Sequence, residues 1–413
     1  MTPGNLDPDS AAVMLARYVR FRRVQRRRLV EIQVALISAP IRTDISIFGR
    51  PVLERTMLIC ERAGIKRFVL EVPPQVQSEM IGSFNRLSHD RTVVIVESLS
   101  TYFAGLARSE SRTPGILISG DLVFSRLQVA TAARMYSAKR VLSRVVCEGE
   151  RSGQLAVGTI ADLLACGSDR PAADSTGDRT SLPFAVNGRP GDRAHAEYLL
   201  ARSIRDETKA KDGPLARWVD RRLSWRLSYW LARTPLKPNH VTVVNTLLGF
   251  LSGYLFTMGY SAQVAGALLF LLVITLDGVD GEVARLKMQE TDFGAALDLI
   301  TDAIVNMVVV LGVILGCYRA GGSRAYLYLV PVFVGGFALC AIASYRLVRF
   351  SVDNSPRLAW LVERLTSRDF AYLLLFFALF DQLAIVAWGA AFGSYVVAIL
   401  LMWAASQVKL KSS

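Results

Sequence analysis

Residues 276–306 read LDGVDGEVARLKMQETDFGAALDLITDAIVN. The stretch sets four aspartates, Asp277, Asp280, Asp298 and Asp302, inside what otherwise reads as two membrane helices joined by the polar turn KMQETD. A carboxylate at such a place is costly and is expected to face a cavity or a partner rather than lipid. Asp277 and Asp280 are three apart and Asp298 and Asp302 are four apart, so each pair shares a helix face. If the chain folds back at the turn, the two helices form an antiparallel hairpin. Asp277 then comes level with Asp302 and Asp280 with Asp298, while Ala284 faces Gly294 nearer the turn. With a rise of 1.5 Å per residue, the acids lie about 10–15 Å from the helix ends. Four converging carboxylates without cations would repel one another strongly. Oxygen ligands at this density suit Mg²⁺ or Mn²⁺, with two ions sharing a bridging carboxylate.

Outward from the hairpin, the C-terminal half reads as membrane. The chain has 413 residues, 52% of them hydrophobic, and nearly all its long uncharged runs follow residue 240. Pro238 precedes an uncharged run from Val241 to Gly259, and further spans are expected at about 262–288, 292–318 and 325–348. Residues 370–408 hold a single charge, Asp381, and are long enough for two spans turning near it. A span needs about 20 residues, so the expected fold is an α-helical integral membrane bundle of six transmembrane helices over residues 238–408. Basic residues concentrate before the first span, at Arg285 and Lys287, at Arg346, Arg349, Arg357, Arg364 and Arg368, and at Lys409 and Lys411. The positive-inside rule then puts both termini on the cytoplasmic side of the cytoplasmic membrane.

The polar half divides into four segments. Residues 1–32 are a basic segment (RYVRFRRVQRRR) without an apolar core behind it, which is not the pattern of a secretory signal. Residues 33–170 alternate β-rich runs (QVALISA, RFVLEV, TVVIVES, GILIS, RVLSRVVC) with helical patterns such as PVLERTMLICERAG, so a soluble, mostly parallel α/β domain is expected. Residues 171–195 are rich in Gly, Ser, Asp and Pro and read as a linker. Residues 196–237 interleave Trp218, Trp225 and Trp230 with Arg217, Arg221, Arg222 and Arg226, the pattern of a juxtamembrane amphipathic helix in the headgroup region.

Composition narrows the chemistry further. Five scattered cysteines without a CxxC, and three histidines, argue against a disulfide framework, a zinc site or a histidine-rich metal site. The net charge of +13 fits anionic lipid and phosphorylated substrates. No aromatic-plus-basic RNA-binding signature accompanies it, so nucleic acid is not an expected partner.

The run Asp277-x-x-Asp280-Gly281-x-x-Ala284-Arg285, followed after eight residues by Gly294-x-x-x-Asp298-x-x-x-Asp302, resembles the full signature of the CDP-alcohol phosphotransferases. KPNHVT before the first span is similar to the family's entry to its first helix, so the resemblance covers about residues 196–408. It implies metal-dependent transfer of a phosphoalcohol from a CDP-alcohol donor to a hydroxyl acceptor, with release of CMP, by a homodimer in the bilayer. Asp277, Asp280 and Asp298 would hold metal, and Asp302 would be both a ligand of a second ion and the general base on the acceptor hydroxyl. Gly281, Ala284 and Gly294 would make room for cytidine, and Arg285 would pair with a phosphate. Asn239 and Thr242 stand at the mouth of the same site, and Arg346 and Arg349 are candidates for an acceptor phosphate, with lipid-facing anchors as the alternative.

The upstream half resembles, more weakly, the nucleotidyltransferase domain of fusions that join an inositol-phosphate cytidylyltransferase to a di-inositol-phosphate-phosphate synthase. FGRPVLERTMLICERAGIKRFVLEV follows that pattern, and Asp121 in GILISGDLVF matches its metal-binding aspartate. The opening loop departs from it: VALISAPIRTDISIFGRP is short and has no GxG to cradle a triphosphate. A degenerate, catalytically inactive nucleotidyltransferase-like domain is therefore expected. The alternatives are a bifunctional enzyme that also makes its CDP donor and a non-enzymatic membrane scaffold with a nucleotide-binding domain. The acceptor stays open between inositol phosphate, glycerol phosphate and other polyols.

Overall fold

The computed structural model describes residues 32–38, 45–72, 74, 91–104, 108–119, 121–139, 143–147, 153–165, 175–177, 182–186, 189–209, 220–350 and 369–412. Residues 1–31 of the basic segment, residues 39–44 of the opening loop of the α/β half, Arg217 and Trp218, and Arg357, Arg364 and Arg368 lie outside the described residues. The chain divides into two units, one built on Arg205–Arg285 and Gln289–Ser413, the other on Arg23–Ile204 with Leu286–Met288.

The second of these is an α/β unit. Its sheet has seven strands: β1 Val34–Ser38, β2 Arg67–Glu71, β3 Thr92–Val96, β4 Pro114–Ser119, β5 Ser143–Cys147, β6 Gly153–Thr159 and β7 Ser175–Gly177. The order across the sheet is β7-β5-β6-β4-β1-β2-β3. The strands β3, β2, β1 and β4 run parallel to one another, β6 is antiparallel to both β4 and β5, and β7 is parallel to β5.

Both sheet faces are covered, which is why the strands are near-continuous apolar runs. Ala35, Ile37, Phe68, Leu70, Ile116 and Ile118 pack with Met57 and Cys60 of helix α1 (Val52–Arg62) and with Val129 and Ala133 of α2 (Arg126–Lys139). The alternate residues Val34, Leu36, Val69 and Leu117 pack on the opposite face with Leu99, Ile160 and Leu163.

The five strands expected from β-branched runs are all present. Strand β6 was not expected, because GQLAVGT has glycines at Gly153 and Gly158 and a low density of β-branched residues. Its Leu155 and Val157 are nevertheless fully buried. The stretch expected as a linker, 171–195, contributes β7 to the sheet edge and the short strand Phe184–Ala185, which pairs with Leu122–Val123.

The other unit is helical. After α3 (Asp192–Lys209), which crosses the division between the two units, come α4 (Asp220–Ala232), α5 (Pro238–Phe256), α6 (Tyr260–Lys287), α7 (Asp292–Gly321), α8 (Ala325–Phe350), α9 (Asp369–Leu379) and α10 (Leu383–Ser412). Pro238 occupies the first turn of α5, where its missing N–H costs nothing. Thr291 caps α7 by accepting from Gly294 N–H at 3.0 Å. Gly322, in the left-handed region with φ 64°, ends the same helix.

Helices α5 and α7 cross at glycines. A Cβ at Gly312 would stand 2.1 Å from the Gly253 carbonyl oxygen, and one at Gly316 would stand 2.1 Å from that of Phe256. Such small residues let membrane helices approach backbone to backbone.

Among the described residues six helices lie between 238 and 412, and α9 and α10 turn at Asp381 as expected. The count of six full crossings does not follow directly. Among the described residues four helices are long and apolar enough to span: Tyr260–Lys287, Asp292–Gly321, Ala325–Ser344 and Leu383–Trp403. Of helix α9, 11 residues are described, about 16 Å of helix against a hydrocarbon core of about 30 Å. Helix α5 has 19 residues but carries Asn239, His240, Thr242, Asn245 and Thr246 in its first half.

Candidate active site

The hairpin of α6 and α7 brings three of its four acids close together. One carboxylate oxygen from each of Asp277, Asp298 and Asp302 can be chosen so that all three lie within 4.8 Å of one another. Asp280 is not one of that trio but lines the same cavity. It is 6% exposed, its Oδ2 accepts a hydrogen bond from the Thr242 hydroxyl at 2.5 Å, and its Oδ1 accepts from the Gly281 N–H at 2.6 Å. These two bonds fix its rotamer, with one donor from α5 and one from its own helix.

The cavity has a volume of about 200 Å³. All four aspartates line it, together with Thr242, Asn245 and Thr246 of α5 and Thr301 and Asn306 of α7. Its apolar wall includes Phe270, Val273, Val305 and Phe370. Phe270 and Phe370 meet edge to face with ring centroids 6.4 Å apart, which closes that side with a rigid aromatic pair.

The remaining expected site residues fall as follows. Arg285 Nε donates to the Gly281 carbonyl at 3.0 Å, one turn back on α6. Space beside Gly281 is open, since an added Cβ would meet only the Arg285 guanidinium at 3.9 Å. Gly294 is crowded instead: a Cβ there would be 3.0 Å from Thr291 Oγ1 and 3.2 Å from Asn239 Oδ1. This places Asn239 against the first turn of α7. Ala284 is half-buried, and its carbonyl accepts from the Gln289 N–H at 2.9 Å. Arg346 and Arg349 lie on α8, but their side chains are outside the described residues.

Sequence reasoning missed Asn245, Thr246 and Asn306. Each had a signal: Asn245 and Thr246 follow Thr242 by three and four residues, and Asn306 follows Asp302 by four, so all share cavity-facing stripes. It also missed Glu282, which is 1% exposed on α6 and accepts a 2.6 Å hydrogen bond from the Ser228 hydroxyl of α4. Ser224, Ser228 and Ala232 form the buried face of α4, while Trp230 on its other side is 63% exposed.

The donor set is made of hard carboxylate oxygens at close range, with hydroxyls and amides around it, and it fits a divalent cation of the Mg²⁺ or Mn²⁺ type.

Comparison with known proteins agrees with this geometry. Residues 236–411 match the CDP-alcohol phosphatidyltransferase family. The chain is similar to three proteins described as bifunctional IPC transferase and DIPP synthase. That of Aquifex aeolicus is 23% identical over 303 residues, covering 63% of this chain and 69% of the relative. That of Thermococcus kodakarensis is 39% identical over 117 residues, covering 28% of this chain and 26% of the relative. That of Rubrobacter xylanophilus is 32% identical over 153 residues, covering 37% and 33%. The last two matches therefore span a third or less of those relatives' length. Residues 236–411, which contain the four aspartates of the cavity, are thus similar to the CDP-alcohol phosphatidyltransferase family.

Proposed function

We propose that the chain transfers a phosphoalcohol group from a CDP-alcohol to a hydroxyl acceptor and releases CMP, with Asp302 as general base. The observation that carries this reading is the approach of the Asp277, Asp298 and Asp302 carboxylates within one membrane cavity. Mg²⁺ or Mn²⁺ bound there supplies positive charge to the diphosphate and to the departing CMP. Asp277, Asp280 and Asp298 hold the cations, with Asp302 completing the set. Thr242 and the Gly281 N–H keep Asp280 in the orientation described above. Asp302 takes the proton of the acceptor hydroxyl as its oxygen bonds to phosphorus and the bond from that phosphorus to the CMP oxygen breaks. Gly281 leaves open space beside α6 for the nucleotide, and Arg285 stands next to that space.

The acceptor is a polyol or its phosphate. The relatives' names point to inositol phosphates, and the α/β unit upstream extends the likeness to those fusions. This α/β unit does not make the CDP donor, because the loop 34–51 lacks the glycine pattern that cradles a triphosphate. Six crossings, cytoplasmic termini and a homodimer belong to the same reading.

Purified full-length protein in lipid nanodiscs, supplied with CDP-diacylglycerol or CDP-polyols, candidate acceptors and Mg²⁺ or Mn²⁺, should release CMP. No CMP from any pair would overturn the reading. Pyrophosphate release from CTP and a polyol phosphate by the same preparation would show instead that the α/β unit is active.

A further inference from the structure

Asn245 is the residue of the cavity whose chemistry the proposed reaction leaves unused. It sits on α5 one turn beyond Thr242, is 8% exposed, and lines the cavity with the four aspartates. Its Oδ1 is buried without a hydrogen-bond partner, one of a small set of such atoms among the described residues. A buried amide oxygen left unpaired is costly, and native structures rarely keep one unless something else satisfies it. Its neighbour Thr246 does not do so, because the Thr246 hydroxyl donates to the Thr242 carbonyl at 2.8 Å. Asn306, across the cavity on α7, donates its Nδ2 to the Asp302 carbonyl at 2.9 Å.

The surroundings define what fits against this oxygen. Among the described residues no Lys, Arg or His lines the cavity. A phosphate or carboxylate oxygen brought to Asn245 would face an acceptor, with the aspartates close by. A neutral hydroxyl donates to Asn245 without that repulsion, and Val273, Val305 and Phe270 of the same cavity wall offer apolar surface to a carbon frame.

We propose that Asn245 is a specificity-determining residue that accepts a hydrogen bond from a free, non-reacting hydroxyl of a polyol substrate, in addition to the hydroxyl that attacks. The inference rests on the transferase reading of the site. The hydroxyl belongs either to the acceptor or to the alcohol carried by the CDP donor, and the two sources are separable. A site built to pair a hydroxyl discriminates strongly against the analogue lacking it.

The test uses the full chain in nanodiscs and follows CMP release. One arm compares myo-inositol 1-phosphate or glycerol 3-phosphate with their monodeoxy analogues as acceptors, at fixed CDP-diacylglycerol. The other compares CDP-glycerol with CDP-propanediol as donors, at a fixed acceptor. In the wild type, loss of one particular hydroxyl lowers kcat/KM about tenfold or more in one arm. In Asn245→Leu and in Asn245→Ala that ratio collapses toward one, and Asn245→Ser, which keeps an accepting oxygen, restores part of it. A general weakening of the fold would lower both substrates together and leave the ratio intact. If Asn245→Leu does not fold, Asn245→Ala decides. Full discrimination in a folded variant overturns the inference, as does a wild type that does not discriminate in either arm. Absence of CMP release from the wild type with every pair sinks the transferase reading itself, and this inference with it.

Discussion

The Thr242 hydroxyl of α5 donates a 2.5 Å hydrogen bond to Oδ2 of Asp280 on α6. Both side chains are buried, at 6% exposure each, so water does not replace the bond when it is lost. The bond ties the first helix of the bundle to the acidic hairpin and, with the Gly281 N–H on Oδ1, sets the orientation of the Asp280 carboxylate. Outer hydrogen bonds of this kind are typically worth about 10–100-fold in metal affinity or activity. Thr242→Val is therefore expected to lower CMP release about 10–100-fold and to raise the Mg²⁺ or Mn²⁺ concentration needed for half-maximal rate, whereas Thr242→Ser stays close to wild type. Equal metal dependence in Thr242→Val and wild type would dissociate this bond from the cation site.

Asp302 and Asp277 test a different division of labour. Both belong to the close carboxylate group, but only Asp302 is assigned proton transfer. A positioned general base typically contributes about 10²–10⁴-fold. Asp302→Asn should lower kcat by that order while Mn²⁺ binding, followed by its paramagnetic resonance signal, weakens less. Asp277→Asn should lower both. Full turnover by Asp302→Asn would remove it from the base role.

The hairpin register was legible because charge inside an apolar helix is so expensive that its spacing carries geometric information. The four aspartates of the two acidic pairs line one cavity in the structure, while Ala284 and Gly294 are not among its lining residues. Asn245 was not legible, since a neutral amide in a helix rich in Thr and Asn carries no comparable cost signal until its burial is known. Glu282 was hidden for another reason. It lies beside Gly281 within the acidic motif, yet its partner Ser228 is 54 residues earlier in the chain. In the α/β unit, alternation revealed strands with β-branched residues and passed over β6, whose burial depends on pairing with both β4 and β5.

Gly312 makes the helix crossing a sharp target. A Cβ there would lie 2.1 Å from a backbone oxygen, that of Gly253, and a backbone cannot turn away as a side chain tip can. Overpacking of this sort costs about 1–3 kcal/mol, sometimes more. Gly312→Ala should lower the thermal midpoint of the purified protein and, by moving α5 against α7, reduce CMP release as well. Gly389 on α10 is the matched control, with nothing within 4 Å of an added Cβ. Gly389→Ala is expected to be neutral or slightly stabilising, since it removes backbone freedom from the unfolded chain. A similar loss of stability in both variants would show that the α5–α7 crossing is not the sensitive point.

Cys60 offers a probe of the α/β unit that is independent of catalysis. It is fully buried on α1 against the sheet, and burial pushes its thiol well above the ordinary thiol range, up to about 12. The folded state therefore holds the proton more tightly than the unfolded state does. This contribution to stability is fully present below about pH 9 and is lost as pH rises toward 12. At pH 8 the native thiol is both neutral and inaccessible, and the thiolate is the reactive species. Maleimide labelling followed by peptide-resolved mass spectrometry should leave Cys60 unmodified in the native protein. It should become modified with the same denaturant midpoint as the loss of the unit's structure. Cys60→Ser would place a hydroxyl in the apolar space between α1 and the sheet and is expected to lower that midpoint, at a cost of about 1–3 kcal/mol if the hydroxyl finds no partner. Rapid native labelling of Cys60 would mean that α1 opens without global unfolding, and the packing of α1 on the sheet would then not limit the unit's stability.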